Sequence, residues 1–345
     1  MEWAGLVLSF AVILAGAELF TNGVEWVGEG FGLTEGAVGS VLAAVGTALP
    51  ETLLPLVAIL SGHEAGEEIG IGAILGAPFM LTTLAMVVLA VALLVTGRAG
   101  RRPAELRFDR RVARQDLGTF LTLYALAVGA ALLHVKAVDY TLAIVLVVAY
   151  GYYVRRHFQV DDEAEAGHEA AEEIGPLYLW GWVRRLRPSA GAWSVDRSVP
   201  APFVQSAIAL LLIVGGARLF IGSVGALGDR LGLSPLAFSL LVAPLATELP
   251  EKFNSVLWIA RGKDTLALGN LTGAMVFQST FPVTIGLLLT PWRLEGPALV
   301  AAVIALVAGS VLWLTVRFRG RLTARLLLLQ GVFYIGYVGF VITRL

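Results

Sequence analysis

Long apolar runs, separated by short polar stretches, dominate this chain. A helix that crosses a bilayer needs about 20 mostly apolar residues. Ten stretches meet that rule, at roughly 3–28, 36–61, 69–97, 117–134, 137–155, 202–227, 235–260, 266–291, 296–316 and 323–343. The first, from Trp3, has no basic region before it and no small-residue cleavage site, so it reads as a retained membrane helix and not a signal peptide. The stretch 157–200 is too polar to cross. The pattern predicts an all-α polytopic membrane protein with ten transmembrane helices. Residues 1–156 form one five-helix unit, 201–345 a second, and 157–200 links them.

Charge placement adds an orientation. Arginine and lysine collect in loops on the cytoplasmic side. Arg98, Arg101, Arg102, Arg107, Arg110, Arg111 and Arg114 follow the third helix. Arg155, Arg156, Arg184, Arg185, Arg187 and Arg197 follow the fifth, Arg261 and Lys263 the seventh, and Arg317, Arg319, Arg321 and Arg325 surround the ninth-to-tenth turn. The opposite side receives only Lys136, Arg230, Arg293 and Arg344. Both termini are therefore expected outside the cytoplasm, with the central linker inside, in a multi-pass protein of the cell membrane. Within the linker, Asp161 to Glu173 is acidic and reads as a solvated, partly helical connector. Leu177 to Pro188 (LYLWGWVRRLRP) sets aromatics beside arginines and predicts a short helix lying at the membrane interface.

Composition then excludes several functions. Of 345 residues, 57% are hydrophobic and only 15% charged, against about 25% charged in a soluble domain. The net charge of −1 offers no field for nucleic acid. With no cysteine, disulfides, thiolate metal sites and cysteine nucleophiles are ruled out. Four histidines without an HExxH spacing make a zinc enzyme a poor fit, and no nucleophile–base set supports another membrane-embedded enzyme. No cofactor is expected.

The two five-helix units are related in sequence. At an offset of 200 residues, Gly16-Ala17-Glu18-Leu19-Phe20 meets Gly216-Ala217-Arg218-Leu219-Phe220, and Thr47-Ala48-Leu49-Pro50-Glu51 meets Thr247-Glu248-Leu249-Pro250-Glu251. Between positions 15 and 51, 14 of 37 pairs are identical. After the next loop the offset becomes 197, and Gly72-Ala73-Ile74-Leu75-Gly76-Ala77 meets Gly269-Asn270-Leu271-Thr272-Gly273-Ala274. An odd helix number per unit makes the second enter the membrane from the opposite side. That is an inverted-topology repeat, a plan by which a central site opens to either side in turn.

Four charges fall mid-helix: Glu51, Glu248, Glu251 and Lys252. An ionised group at the bilayer centre costs ~2.5–3.5 kcal/mol on insertion scales, so such groups face a cavity, pair, or bind an ion. Pro50 and Pro250 precede the two matched glutamates and remove donors, which frees carbonyls near Gly46 and Ala246. These carbonyls and the Thr47 and Thr247 hydroxyls would join the carboxylates in an oxygen-rich site for a hard cation such as calcium or sodium. Gly72-x-x-x-Gly76 and Gly269-x-x-x-Gly273 permit close backbone approach nearby. Glu248 and Lys252, four apart, are spaced for an ion pair, although Lys252 could instead occupy a cation subsite. Glu18, aligned with Arg218, could gate access by pairing with it or reach the headgroups.

The GTALPE and ATELPE segments, with GNLTGAMVFQ after the second, resemble the two alpha repeats of the sodium/calcium exchanger family, within the calcium/cation antiporter superfamily. The resemblance covers roughly 15–95 and 215–290 and agrees with ten helices. It implies that Glu51 and Glu251 coordinate ions, that Thr47 and Thr247 are the motif threonines, and that sodium and calcium compete for one central site while the first and sixth helices slide. Three departures stand out. The motif serine is Ala48 in one half and Glu248 in the other. A polar ligand position near the end of the third and eighth helices holds Leu81 in one half and Gln278 in the other, with Asn270 kept only in the second. Lys252 is unusual. The expected function is sodium-driven calcium export by alternating access. Cation/proton exchange is the alternative, suggested by Glu248, and a non-transporting sensor or scaffold is the alternative of another class. Expected partners are inorganic cations and the lipid bilayer, with oligomeric state left open.

Overall fold

The computed structural model describes residues 2–30, 43–63, 65–98, 104–164, 177–179 and 200–343. Among them lie thirteen helices: α1 (Glu2–Gly30), α2 (Ala43–Leu60), α3 (Gly66–Thr82), α4 (Leu84–Arg98), α5 (Arg110–Leu133), α6 (Lys136–Ala164), α7 (Pro200–Leu231), α8 (Pro235–Thr247), α9 (Leu249–Ala260), α10 (Asp264–Gln278), α11 (Phe281–Leu289), α12 (Gly296–Phe318) and α13 (Ala324–Ile342). Eight helical stretches are long and apolar enough to cross a membrane, with α3–α4 and α10–α11 each counted as one. The shorter apolar helices Pro50–Leu60 and Pro235–Leu245 belong to the second and seventh crossings, which completes ten. In hydrocarbon every backbone polar group needs an internal partner, which selects helices. Leu211, Ile335, Val148 and Leu329 point outward, as a lipid-facing surface requires.

The two repeats are inverted, and the packing of α1 on α7 shows it residue by residue. A Cβ at Gly16 would stand 2.8 Å from the Ile213 side chain, and one at Gly216 2.8 Å from that of Ile13. Gly23 faces Ser206, and Gly5 faces Ser223. As the number rises on one helix it falls on the other, so the helices run antiparallel, and residues 200 apart exchange places. Only glycine lets the two backbones approach this closely.

Three predicted single helices are interrupted. The third crossing breaks at Thr83 (φ −116°, ψ −82°) and the eighth at Thr280 (φ −118°, ψ −79°). The two breaks are 197 residues apart and share one backbone conformation. Hydroxyls satisfy the local carbonyls at both: Thr82 Oγ1 donates to Pro78 O (2.8 Å) and Thr83 Oγ1 to Phe79 O (2.6 Å), while Ser279 Oγ donates to Val276 O (2.8 Å) and Thr280 Oγ1 to Phe277 O (2.8 Å). The seventh crossing breaks at Glu248, between α8 and α9, where Pro250 starts the second piece. Two boundaries also move: the fourth crossing begins at Arg110, and the fifth continues to Ala164, through the first acidic residues of the linker. The rest of the acidic segment and of the predicted interfacial helix, apart from Leu177 to Leu179, lies outside the described residues, as does the start of the predicted second helix.

Each face of the molecule is tied across its loops. On one, strands β1 (Glu105–Leu106) and β2 (Leu322–Thr323) pair antiparallel, and Arg107 N–H donates to Asp264 Oδ2 (2.8 Å). The arginine-bearing loops after the third, seventh and ninth crossings therefore meet. On the other, Lys136 Nζ donates to the carbonyls of Leu287 (3.2 Å) and Thr290 and pairs with Asp139 (3.3 Å), and Arg230 pairs with Glu2 (3.2 Å). Two apolar cores sit between these faces. One is centred on α1, α2, α7 and α8, the other on α4, α5 and α10 to α13, and α3 contributes to both.

Candidate functional site

The site forms where α2, α8, α9 and α10 converge. Glu51 lies in α2, which continues through Pro50 and Pro55; Glu251 lies in the first turn of α9. Both are buried, 6% and 8% exposed. The charges of Glu51, Glu251, Glu248 and Lys252 are close enough to act on one another. Sequence reasoning placed these four mid-membrane, and the structure brings them together.

Glu248 and Lys252 form the ion pair their spacing allowed. Lys252 Nζ donates to Glu248 Oε2 at 2.7 Å and to Pro244 O at 3.3 Å, with the two side chains 8% and 1% exposed. Although Glu248 lies between α8 and α9, its N–H donates to Pro244 O (3.2 Å) and its carbonyl accepts from Lys252 N–H (3.1 Å), so helical spacing is kept and sets the two side chains one turn apart.

Other oxygens in this region have no partner among the described residues: both Oε atoms of Glu51, Glu248 Oε1, Glu251 Oε2 and Gln278 Oε1 are buried without a hydrogen bond. Buried polar groups are normally bonded, and leaving a charged one unmade is costly. Gln278 is the last residue of α10, at the mid-membrane break, where the negative end of a half-helix favours a cation. At the equivalent position of the first repeat, Leu81 is fully buried.

The remaining candidates hold the frame. Thr247 Oγ1 donates to Ala243 O (3.3 Å), which leaves its lone pairs free. Asn270 Nδ2 donates to Glu251 O (3.1 Å) and Ser255 Oγ (3.2 Å), which fixes α10 against α9 beside the glutamate. Gly46, Thr47 and Ala246 occupy helical positions in α2 and α8, and their side chains lie outside the described residues. Pro250 has no N–H, so the Ala246 carbonyl lacks its intrahelical donor.

One expectation needs correction, and one of two open alternatives is removed. In the first half the glycine pair does bring helices together: a Cβ at Gly72 would stand 2.5 Å from Leu236 O and one at Gly76 would meet the backbone of Leu240, while Ser239 Oγ donates to Ile69 O (2.8 Å). In the second half no described atom lies within 4 Å of a Cβ at Gly269, and only Tyr153 Oη, at 3.9 Å, approaches Gly273. The pseudo-symmetric contacts are closed in one half only. Glu18, for its part, accepts from Tyr178 Oη (2.9 Å) and does not meet Arg218. Antiparallel packing explains this: residue 18 lies opposite residue 211, about 10 Å along the helix from residue 218. The Glu18 carboxylate, together with burial, raises the Tyr178 phenol above its ordinary range and keeps the proton on the donor. Around this contact Gln205 accepts from Leu179 N–H (2.8 Å) and donates to Leu19 O (2.9 Å), so the linker residues dock on both α1 and α7.

The buried carboxylates Asp116, Asp139 and Asp264 all escaped the sequence reading. Asp116, 1% exposed, accepts from Tyr153 Oη (3.0 Å) and Thr272 Oγ1 (2.6 Å), which ties α5 and α6 to α10 two residues past Asn270.

A family profile described as Sodium/calcium exchanger protein matches residues 1–158 and 201–343. The putative antiporter CaxA of Alkalimonas amylolytica is 24% identical over 342 residues, covering 96% of each chain. Inner membrane protein YrbG of Escherichia coli (strain K12) is 22% identical over 292 residues, 84% of this chain and 80% of its own. Among solved structures, the H+/Ca2+ exchanger CAX superposes with a TM-score of 0.70 at 15% identity, covering 99% of this chain and 86% of that one. The sodium-calcium exchanger NCX_Mj does so with a TM-score of 0.55 at 17% identity, covering 98% and 97%. At these identities the two structures establish the shared fold.

Proposed function

The chain belongs to the sodium/calcium exchanger protein family, and on that premise we propose that this membrane antiporter exports calcium by alternating access, driven by inward sodium. Glu51 and Glu251 are the central ligands. Glu248 Oε1, Gln278, the Thr247 and Thr47 hydroxyls and the carbonyls of Gly46 and Ala246 complete an oxygen shell, and Asn270 orients it. The reading rests on one observation above all: five side-chain oxygens of these residues, four of them carboxylate, are buried with no partner among the described residues. A hard cation with six to eight oxygen ligands satisfies such a set.

Alternating access draws support from the inverted repeat and from the glycine contacts, closed in one half and open in the other. In this reading the arginine-bearing face is cytoplasmic, both termini are extracytoplasmic, and 157–200 is a cytoplasmic linker between units 1–156 and 201–345.

A second reading keeps calcium and replaces sodium by protons. Glu248 favours it, because a third carboxylate offers a further proton acceptor where the motif has serine. The solved relatives include a proton-coupled and a sodium-coupled exchanger by name, so fold does not choose. Calcium flux in proteoliposomes, with sodium and pH gradients imposed separately, does. Flux that follows sodium supports the first reading, and flux that follows pH the second. Calcium that moves with neither removes both.

A further inference from the structure

We propose that Lys252 is a built-in monovalent cation that fixes the charge of the empty site at −2, so that one calcium exchanges for two monovalent cations without net charge movement. This rests on the antiport reading above and extends it to charge balance.

The cluster holds three carboxylates, Glu51, Glu248 and Glu251, and one ammonium, Lys252, all buried. The ammonium is not a mobile ion. It is tethered four residues from Glu248, bonded to Oε2 at 2.7 Å and steadied by Pro244 O at 3.3 Å. One carboxylate is therefore paired from within the chain itself, and Glu51 and Glu251 remain. An independent observation shows that the cluster is built to receive something further. Gln278 Oε1, an uncharged acceptor on a residue 3% exposed, is also left without a partner at the end of α10.

Moving a charged site through a low-dielectric barrier is unfavourable, so the states that reorient are those with ligand charge matched to the site. Against −2, one divalent cation matches, and so do two monovalent cations. Without Lys252 the site would carry −3, and no calcium ion alone could match it. The lysine occupies, by covalent attachment, the place of a co-bound monovalent ion.

The test uses the full chain in proteoliposomes, with calcium uptake driven by a sodium gradient and, separately, by a pH gradient. A membrane potential is set at the same time. For the wild type, the calcium gradient reached at equilibrium should not change with potential. One net charge per cycle would shift it about 50-fold per 100 mV, by the ~2.3 kcal/mol each charge gains. That shift in the wild type would overturn the proposal. In Lys252→Met, either the potential sensitivity appears or calcium uptake comes to require a monovalent cation on the same side. Exchange that stays insensitive to potential and needs no companion would also overturn it. The double variant Glu248→Gln/Lys252→Met restores −2 without a buried unpaired carboxylate. It should return to insensitive, companion-free exchange with lower calcium affinity, and potential-sensitive exchange there counts against the proposal. Absence of calcium movement under either gradient in the wild type instead defeats the antiport reading itself, and this proposal falls with it.

Discussion

Glu51 and Glu251 occupy matched positions in unmatched surroundings. Glu51 sits in a continuous helix with both carboxylate oxygens unbonded among the described residues, and its repeat offers Leu81 where the other offers Gln278. In the proposed reading each glutamate nonetheless contributes a charge the bound cation needs. Glu51→Gln and Glu251→Gln should each lower calcium affinity on the order of 100-fold, within the range over which ligand charge tunes calcium sites. Gln278→Leu copies the first repeat and removes the proposed neutral ligand. It should cost about 10-fold, or ~1.4 kcal/mol. Calorimetric titration of calcium into the detergent-solubilised protein measures all three, and unchanged affinity in both glutamate variants would remove the site assignment. The glutamates were legible because TxLPE recurs at one offset, and Gln278 because the alignment carries that offset on to the next helix. Asp116 was not legible. The predicted fourth helix began at residue 117, since the preceding Arg110–Gln115 stretch is too polar for an apolar window. The backbone is helical from Arg110 nonetheless, capped by Asp109, whose side chain accepts from Arg111 N–H (2.7 Å).

Helix number and order follow from hydropathy, but helix continuity does not. Thr82-Thr83 and Ser279-Thr280 interrupt apolar runs too briefly to lower a window average, so the third and eighth crossings read as single spans. The clues are local: prolines beside both breaks, Pro78 and Pro282, and paired hydroxyl residues able to bond the carbonyls that a break exposes. The α1–α7 contact has the opposite character, since the sequence supplies matching glycines but does not say what they face. It can be tested directly, because the chain has no cysteine. Gly16→Cys with Ile213→Cys should form a disulfide on mild oxidation, as the two sites are in contact. Glu18→Cys with Arg218→Cys should not, because antiparallel packing sets them about 10 Å apart along the helix axis. Cross-linking of the second pair in place of the first would reverse the assigned register.

At the scale of the whole molecule, orientation follows from which loops meet. The strand pair β1–β2 and the Arg107–Asp264 bond gather the loops after the third, seventh and ninth crossings on one face, and these are arginine-rich. Lys136, Arg230 and Arg293 belong to the loops of the other face. Such an imbalance is the basis for proposing that the arginine-rich face is cytoplasmic. An inverted repeat makes the prediction sharper than for an ordinary bundle. The two units have opposite orientation, so each loop of one unit has its counterpart on the other side, and a single error of topology would reverse half the assignments. Single-cysteine variants at exposed positions separate the possibilities. Arg293→Cys and His63→Cys should react with a membrane-impermeant maleimide added to intact cells, whereas Arg111→Cys and Arg319→Cys should react only after permeabilisation. Reversal of all four would invert the molecule and leave the repeat intact. If His63 and Arg293 reacted from opposite sides, the inverted repeat itself would fail, because these positions sit in loops of different units that the ten-crossing arrangement puts on one face.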